Sequence, residues 1–410
     1  MSDDRVSREI DDVISSSITF SSSIPIEIVS EEEMAIIEAA FAATKSVFSP
    51  SFYHQFGSNV RSIESSFTLI SKRSLSLCSS TSLSSSELTV NSGDIEDLGG
   101  TQMNKKKGKY LETFLHRFRR KRGLAVTDIT ASEWCEKQME FILLRGKPKA
   151  TKEMKVGKER HAKLEEEVVQ RIKVDVKEIE DAWAVKFMNF IIGSNQLLFE
   201  GLTRELPIVG FIDGVWMVGV IDELRMPITK TVRNPLLVDT KTRSQPTLPS
   251  EPQKRNGRLQ LMCYKYLWDS VVTSNFPLTR FYNFFGLNPQ YILSQEVQDL
   301  CNCSGLPAKT LEDMVMYFRN TCCTLPPTDN QLILRYEFQG DNSLIGEERF
   351  TYDFDWLTSQ IKSSLEFWMG EREANYVPPE ERWKCRFCKF SLICPTNATV
   401  ENTISSSAPL

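Results

Sequence analysis

The chain has 410 residues, of which 41% are hydrophobic and 25% are charged, and its formal net charge is −5. This composition is typical of a soluble globular protein, and no apolar run is long enough to span a bilayer, so no membrane partner is expected. Residues 1–100 carry 15 acidic and six basic side chains, which leaves a net charge of +4 on the remainder and favours an anionic partner.

The first quarter of the chain, residues 1–104, is predicted to be a disordered, serine-rich and acidic region. Runs such as SSSITFSSS bury too little apolar surface to offset the entropy of the chain. Glu31–Phe48 has apolar residues at helical spacing and is predicted to form a transient or partner-binding helix. The start of the chain resembles neither a secretory signal nor a usual transit peptide. We therefore expect the nucleus or cytoplasm, with chloroplast or mitochondrion as the alternative because Arg61–Ser86 is serine-rich.

A basic segment, KKKGKYLETFLHRFRRKRG, opens the predicted folded domain at Lys105. It is predicted to contact phosphates, to act as a nuclear localisation signal, or to form a solvated helix face. Together with later cations it is expected to line a channel for a nucleic-acid backbone, with Phe118 and Tyr110 stacking on bases. The later cations are Arg243, Lys254, Arg255 and Arg258.

Two helices are expected after the basic segment. The first is short, carries Cys135, and is capped by Thr130 or Ser132. The second runs from residue 157 through residue 172 and bears His161. A single histidine on a helix is usually structural, so its role is open at this point.

The stretch from residue 210 to residue 243 is predicted to form two or three strands. Asp222 and Asp239 each end an apolar run, and Lys241 follows Asp239 by two positions. Residues two apart in a strand point to the same face, so Asp239 and Lys241 share a space. Two carboxylates beside an ammonium group suit a divalent cation, although a salt bridge at a strand edge is the simpler alternative.

The rest of the chain alternates between predicted loops, helices and strands. A proline-rich loop, Thr242–Pro249, precedes an apolar helix at Arg258–Trp268, which places Gln260 and Tyr264 four residues apart on one face. The residues after 397 are predicted to be a disordered tail. The remaining expected elements are a strand at Phe281–Leu287, a helix at Lys309–Arg319, strands at Gln331–Phe338 and Glu348–Tyr352, and a helix at Asp355–Glu371.

The cysteines indicate a metal centre rather than a disulfide framework, because the chain has ten of them and no secretory signal. Cys385, Cys388 and Cys394 have the spacing Cys-x2-Cys-x5-Cys, without the second close pair that a zinc knuckle supplies. A cubane iron–sulfur cluster takes four thiolates, and Cys135 is the candidate for the fourth. Such a centre would close a long loop and stabilise the fold by roughly 5 kcal/mol. A zinc centre is the alternative.

The order of these features resembles the exonuclease V (defects-in-morphology) family of iron–sulfur RecB-like PD-(D/E)xK nucleases. The resemblance covers about residues 105–397, between the region 1–104 and the tail 398–410. It implies an α/β fold with a mixed central sheet flanked by helices, and a 4Fe-4S clasp joining the N- and C-terminal parts of the domain. It rests on Cys135, His161, Asp222, Asp239-Thr-Lys241, Gln260-x-x-x-Tyr264, Cys385, Cys388 and Cys394, in that order.

The resemblance also implies residue roles for a magnesium-dependent exonuclease acting on single-stranded DNA. Asp222 and Asp239 would bind Mg²⁺, and Lys241 would be the catalytic lysine. His161 matches a metal ligand of the wider superfamily. Asp239 stands where many members have glutamate, a departure that concerns rate more than chemistry. Gln260, Tyr264 and Arg243 would contact substrate.

The expected setting is DNA repair or genome maintenance, in a monomer whose partner is single-stranded DNA. A single-strand-binding protein is a further candidate partner. The alternative function is a non-catalytic scaffold that binds nucleic acid on a nuclease fold with a structural metal site.

Overall fold

The computed structural model describes residues 66–71, 112–227, 234–273 and 276–395, and every structural statement below concerns these ranges. The predicted helix at 31–48, residues 105–111 of the basic segment that begins at Lys105, and the tail after residue 397 lie outside them. The predicted domain boundaries therefore stay predictions.

The described chain contains eight strands and nine α-helices. The strands are β1 (Ser66–Ser71), β2 (Leu124–Ala125), β3 (Val169–Val174), β4 (Leu202–Ile212), β5 (Val215–Arg225), β6 (Leu236–Arg243), β7 (Gln331–Phe338) and β8 (Leu344–Thr351). The helices are α1 (Phe114–Arg119), α2 (Val126–Arg145), α3 (Lys152–Glu166), α4 (Ile179–Glu200), α5 (Glu251–Thr273), α6 (Leu278–Phe285), α7 (Gln295–Cys303), α8 (Leu311–Thr324) and α9 (Phe354–Trp368). Two 3₁₀ segments, Pro379–Phe387 and Ser391–Ile393, follow.

A six-stranded mixed sheet organises the fold. The path β2-β5-β6-β7-β8 is hydrogen-bonded in that order, β4 pairs with β5, and β1 pairs with β3 in a separate two-stranded sheet. The β2–β5 and β6–β7 pairs are parallel and the other pairs are antiparallel. A central mixed sheet flanked by helices is therefore confirmed as the general architecture.

The edge of β5 that faces away from β4 is shared by two neighbours. Its start pairs with β2 at Met217 and Val218, and its end pairs with β6 from Glu223 to Arg225. Residues 219–222 lie between these two pairings, where the sheet opens. This opening leaves room for side chains from a covering helix.

The core is built from aromatic rings between the sheet and the helices that cover it. Trp216 on β5 lies 5.6 Å from Phe281 and from Phe285, measured between ring centroids. Phe187 on α4 packs against Phe318 on α8 at 4.6 Å. Burial of each such ring is worth about 1.5–3 kcal/mol. These contacts hold α4, α6 and α8 against β5 and fix the frame on which the site is built.

The predicted strand at Phe281–Leu287 is wrong, because Phe281–Phe285 belongs to α6 and Gly286 ends that helix. Phe281 and Phe285 are four residues apart and fully buried, so one helix face presents both rings to the core. Gly286 then ends the helix with a φ of 68°, in the left-handed region. Aromatic residues favour strands on average, and here burial at helical spacing outweighed that preference.

The predicted helix through Ile172 is also wrong in its second half. The helix α3 ends at Glu166, and Val169–Val174 forms β3, which pairs with β1. The β-branched residues of this stretch favour an extended strand. The first half, which carries His161, is helical as expected.

The predicted cap at Thr130 or Ser132 is wrong. The helix α2 starts earlier, at Val126, where the carboxylate of Asp128 accepts a hydrogen bond from the Ala125 N–H. Thr130 and Ser132 lie inside the helix, and Ser132 Oγ donates to the carbonyl oxygen of Asp128. The helix that carries Cys135 is therefore longer than expected.

Other boundaries move, and one long helix was not foreseen. The helix α5 starts at Glu251, seven residues before the expected start, because Pro252 fits the first turn of a helix. The predicted strand at Gln331–Phe338 is confirmed, and its partner strand spans Leu344–Thr351. The helix α4 is apolar around most of its circumference, so it lacks the one-sided stripe by which a surface helix is identified.

Candidate functional site

Asp222, Asp239 and Lys241 meet at the opening in the sheet. Continuing the antiparallel register of β5 and β6 by one position sets Asp222 opposite Asp239. Lys241 Nζ lies 2.8 Å from Asp239 Oδ2, and Asp239 is fully buried. The structure thus brings together the three residues that the sequence singled out.

Burial raises the pKa of the Asp222 carboxyl well above its usual value, and the neighbouring charge of Asp239 raises it further. Burial acts in the same direction on Asp239, but Lys241, together with the hydrogen bond to Asp222 and the charge of His161, outweighs it and lowers the pKa of Asp239 below its usual value. Two carboxylates this close in a buried site repel each other when both are ionised. A proton or a cation between them removes that repulsion.

Some carboxylate oxygens of Asp222 and Asp239 have no hydrogen-bond partner among the described protein groups. Asp222 Oδ2 and Asp239 Oδ1 are sealed from solvent and accept no hydrogen bond from a described donor. Buried polar atoms are nearly always satisfied, so these oxygens suit either a shared proton or a bound ion. Oxygen donors of this kind suit Mg²⁺.

His161 reaches the same place from α3. Its Nδ1 lies 3.7 Å from Asp222 Oδ2 and 3.6 Å from Glu205 Oε1. Burial lowers the pKa of the imidazole, but Asp222 and Glu205 outweigh it and raise the pKa to about 9. The histidine therefore belongs to the acidic cluster rather than to the hydrophobic core.

Glu205 is a residue of this site that the sequence analysis missed. Ligand atoms of His161, Glu205 and Asp222 all lie within 4.8 Å of one another. Glu205 has a φ of 50° inside β4, a left-handed conformation that costs of order 1–3 kcal/mol in a non-glycine residue. Strain of this kind is concentrated at functional sites.

A signal for Glu205 was present in the sequence. The turn between β4 and β5 is Asp213-Gly214, with φ of 48° and 84°, as in a two-residue type I′ hairpin. Glu205 precedes this turn by eight residues and Asp222 follows it by eight. Counting the register outward from the turn sets the two carboxylates opposite each other. The pairs on either side, Arg204 with Glu223 and Leu206 with Ile221, keep that register, whereas Glu205 itself leaves the strand pairing.

Gln260 and Tyr264 on α5 lie beside the lysine. Lys241 Nζ donates to Gln260 Oε1 at 2.8 Å, and Gln260 Nε2 lies 3.5 Å from the hydroxyl oxygen of Tyr264. Gly219 allows this approach, because a Cβ there would stand 2.6 Å from Cε1 of the tyrosine ring. The predicted Gln-x-x-x-Tyr pair therefore positions the ammonium group of Lys241.

Most of the later cations that were predicted to line a channel form ion pairs with carboxylates of the protein. Arg255 pairs with Glu133 and Glu381, and Arg258 pairs with Glu251 and Glu348. Lys254 also approaches Glu348, at 3.4 Å. Arg243 Nε donates to the carbonyl oxygen of Thr247 at 2.7 Å. Paired cations have less charge to offer a phosphate, so the predicted substrate role of Arg243 stays a prediction.

A second site is formed by sulfur atoms. Cys135, Cys385, Cys388 and Cys394 line one cavity, and none of them is in a disulfide. Burial raises the pKa of the Cys135 thiol, the N–H of Gln138 opposes this, and the other three cysteines raise it further. Four sulfur donors around one space fit a metal centre with four thiolates, whether iron–sulfur or zinc.

A kink in α2 directs Cys135 into this cavity. The backbone of Cys135 is extended, with φ −170° and ψ 108°, and the helix resumes after it. The N–H of Gln138 donates to Cys135 Sγ at 3.4 Å. The start of the resumed helix, which carries partial positive charge, therefore faces the sulfur and opposes the rise in the pKa of this thiol without cancelling it.

Protein contacts also join the two ends of the domain beside the cysteines. Arg372 donates to both carboxylate oxygens of Glu136, at 2.6 and 2.7 Å. The N–H of Asn375 donates to the same carboxylate at 2.8 Å. Lys384 Nζ donates to the carbonyl oxygen of Trp134 at 3.2 Å. The cysteines are thus brought together by a scaffold that does not depend on a metal alone.

Among the described helices, none is both long enough and apolar enough to cross a bilayer.

The chain matches a protein family described as "Exonuclease V - a 5' deoxyribonuclease" over residues 113–231, 226–304 and 296–395. It is similar to Exonuclease V of Danio rerio, with 32% identity over 286 residues, which are 68% of this chain and 71% of that protein. Two shorter matches are to mitochondrial Exonuclease V of Candida dubliniensis and of Candida albicans (strain WO-1). Their identities are 36% and 30% over 61 residues, 15% of this chain and 10% of each relative.

Proposed function

Since this chain belongs to the exonuclease V family and is a DNA exonuclease, we propose that it hydrolyses phosphodiester bonds of single-stranded DNA with the aid of Mg²⁺. The resemblance seen in the sequence is confirmed at the level of the family, and the alternative of a non-catalytic scaffold is set aside. The observation that carries the proposal is the buried pair Asp222 and Asp239, with unsatisfied oxygens, beside Lys241.

Asp222, Asp239, His161 and Glu205 would hold the metal. Bound Mg²⁺ supplies a Lewis acid for the scissile phosphate and lowers the pKa of a water molecule. Lys241 offsets the negative charge that develops on the phosphate during attack. Gln260 orients the lysine by accepting its hydrogen bond, so the ammonium group is held in place before substrate arrives.

The test of this function is digestion of labelled single strands blocked at one end. Because the family is described as a 5′ deoxyribonuclease, a strand blocked at its 3′ end should be degraded and one blocked at its 5′ end should persist. EDTA should stop the reaction, and a blunt duplex should resist it. Equal digestion of duplex and single strands, or activity in EDTA, would contradict the proposal.

Glu205→Gln is expected to weaken the affinity for Mg²⁺ by about tenfold and so to raise the Mg²⁺ requirement, because an amide oxygen replaces a charged ligand. The measurement is the Mg²⁺ concentration that gives half of the maximal initial rate. Glu153→Gln, at an exposed carboxylate of α3, is the matched control. An unchanged Mg²⁺ requirement in Glu205→Gln would exclude this residue from the metal site.

Gln260→Ala is expected to lower kcat by about tenfold, since a hydrogen bond to a charged group is worth about 1.5–3 kcal/mol. Lys241 loses the acceptor that orients it, whereas the DNA-binding surface is intact, so KM should change little. Steady-state kinetics on a single strand separates the two constants. Gln295→Ala, on the exposed surface of α7, is the control. A rise in KM at constant kcat would show that Gln260 binds DNA instead.

For the four cysteines we propose a 4Fe-4S cluster that acts as a structural clasp rather than as a redox catalyst. Support comes from the cavity that the four cysteines share. One of them lies on α2 and the other three lie in the last described segment, so a cluster would join these two parts of the chain. Protein purified without oxygen should contain about four iron and four sulfide per chain. A colourless protein with one zinc would favour the alternative.

The biological setting is proposed from the family and from the names of relatives. DNA repair or genome maintenance suits an exonuclease for single strands, with a monomer as the acting form and a single-strand-binding protein as a candidate partner. The two Candida relatives are named as mitochondrial, which favours the mitochondrial alternative over the nucleus, cytoplasm or chloroplast. Imaging of the full chain with a C-terminal fluorescent tag would decide the compartment.

A further inference from the structure

The segment that carries the last three cysteines exposes large apolar side chains. Phe387 is 77% exposed and Leu392 is 98% exposed, which are among the highest values for large hydrophobic residues in the described chain. Ile393 is 43% exposed. An apolar group of this size costs free energy in water, so such a cluster marks a contact surface.

The same segment is basic. From Arg382 to Cys394 the sequence RWKCRFCKFSLIC contains four cations and no carboxylate. Lys384 is buried and pairs with Glu381, but the other three cations are exposed. These are Arg382, Arg386 and Lys389, and no described carboxylate lies within ion-pair distance of them.

This charge contrasts with the cations at the start of α5. Arg255 and Arg258 are each held by two carboxylates, so their charge is balanced within the protein. The charges of the exposed cations in the cysteine segment are not balanced by a described carboxylate, so they are available to an external anion. Aromatic rings interleaved with free cations are the composition of surfaces that bind single-stranded nucleic acid.

The phenyl ring of Phe387 is presented by a supporting row of aromatic residues. Phe387 lies 6.4 Å from Trp383, and Trp383 lies 5.9 Å from Trp134 in an edge-to-face arrangement, measured between ring centroids. Lys384 Nζ lies 4.1 Å from the centre of the Trp134 ring. The row anchors the exposed ring on α2, so little entropy is lost when a flat ligand stacks on it.

The cysteine segment is connected to the hydrolytic site through α2 and α5. Asn256 on α5 donates to the carbonyl oxygen of Thr130 at 2.7 Å and to Glu133 at 3.0 Å, both on α2. Gln260 follows Asn256 by four residues, on the same side of α5 and about 6 Å further along its axis. The cysteine segment therefore contacts α2 at Trp134, and the neighbouring residues Thr130 and Glu133 bind Asn256, which lies one helical turn before Gln260 on α5.

We propose that Arg382, Arg386, Phe387 and Lys389 form a surface that binds the unpaired bases and phosphates of a single DNA strand engaged at the hydrolytic site. This inference rests on the proposed action on single-stranded DNA and adds the surface that holds the strand. Phe387 stacks on a base, and the three cations contact the backbone. The cysteine centre would then support a substrate contact as well as the fold.

Two changes to this surface test it, by fluorescence anisotropy of a labelled oligothymidylate in EDTA, where nothing is hydrolysed. Phe387→Ala should weaken binding by about tenfold, within the range for one stacked base. Phe387→Trp should restore it. The double variant Arg386→Ala, Lys389→Ala should weaken binding and flatten the slope of log affinity against log salt by about 1.4, because two phosphate contacts are lost.

Matched controls exist elsewhere on the chain. Phe199→Ala removes a phenyl ring that is 83% exposed on α4. The pair Lys309→Ala, Lys362→Ala removes two exposed positive charges outside the segment from Arg382 to Cys394. Both controls should bind DNA as the unmodified protein does. Metal content and the thermal midpoint of each variant show whether the cysteine centre is intact.

The outcomes separate this inference from the proposed reaction. Unchanged affinity and unchanged salt slope, with the metal content intact, would overturn it and leave the apolar surface to a protein partner. Equal losses in the control variants would overturn it too. Failure of the unmodified protein to digest single strands, while binding still depends on Phe387, would overturn the proposed reaction and leave this surface standing.

Discussion

Asp222→Asn should reduce the rate of DNA hydrolysis by about 10²–10³-fold or more without destabilising the metal-free protein. The pKa of Asp222 is raised by burial and by Asp239, so its ionised form costs folding free energy at neutral pH. A neutral amide of the same shape avoids that cost and removes the repulsion between the two carboxylates. The fold should therefore keep or gain stability while the metal site loses a charged ligand.

Thermal unfolding with and without Mg²⁺ gives the measurement. The unmodified protein should gain about 2.7 kcal/mol when Mg²⁺ is present at 100 times its dissociation constant, and Asp222→Asn should gain much less. Asp213→Asn, at the exposed hairpin turn, is the matched control because asparagine tolerates its positive φ. Full activity in Asp222→Asn would refute the assignment of the site.

Cys388→Ser should release the metal centre and lower the free energy of unfolding by about 5 kcal/mol, the loop-closure estimate for a cross-link of this span. The native fold should still form at low temperature, since Glu136 and Arg372 continue to join the two ends. Circular dichroism at low temperature tests whether the native fold still forms, and the denaturation midpoint tests whether the free energy of unfolding falls. Iron, sulfide and zinc analysis shows which metal is lost.

Cys323→Ser is the matched control, because Cys323 is exposed and does not line the cavity. It should retain the metal content and the stability of the unmodified protein. If Cys388→Ser behaved like this control, the four cysteines would not form a metal centre. If Cys388→Ser failed to fold at all, the metal would contribute more to the fold than the ion pairs do.

The sequence predicted those parts of the site in which the residues are close together along the chain. Asp239 and Lys241 are two apart in a strand, and Gln260 and Tyr264 are four apart in a helix, so each pair shares a face by local geometry alone. The structure adds the contact between the pairs, from Lys241 Nζ to Gln260 Oε1. That contact depends on how α5 packs over the sheet, which local spacing does not encode.

Glu205 shows the opposite case. It is 17 residues from Asp222, and its role depends on the strand register that the hairpin turn defines. The predicted strands began at residue 210, so the register was not followed back far enough. The backbone of Glu205 is left-handed, a conformation that non-glycine residues rarely adopt, so it results from the tertiary structure and is not expected from the sequence.

The errors in the fold have a similar origin. Residues 281–287 are predicted to form a strand, whereas α6 forms because two of its rings fill the same core. The helix α4 was not foreseen because it is buried on most sides. Burial in the assembled protein decided both outcomes, and a single local window does not contain that information.

The pairing of Cys135 with the last three cysteines also constrains how the protein is made. Cys135 is translated 250 residues before Cys385. At 5–20 residues per second, about 12–50 s separate the first thiol from its partners. During that interval a ribosome-bound chain carries Cys135 without the sulfur neighbours that surround it in the finished protein. A metal centre on all four cysteines would therefore be completed only after Cys394 has been made, and a chain terminated before Cys385 could not complete it.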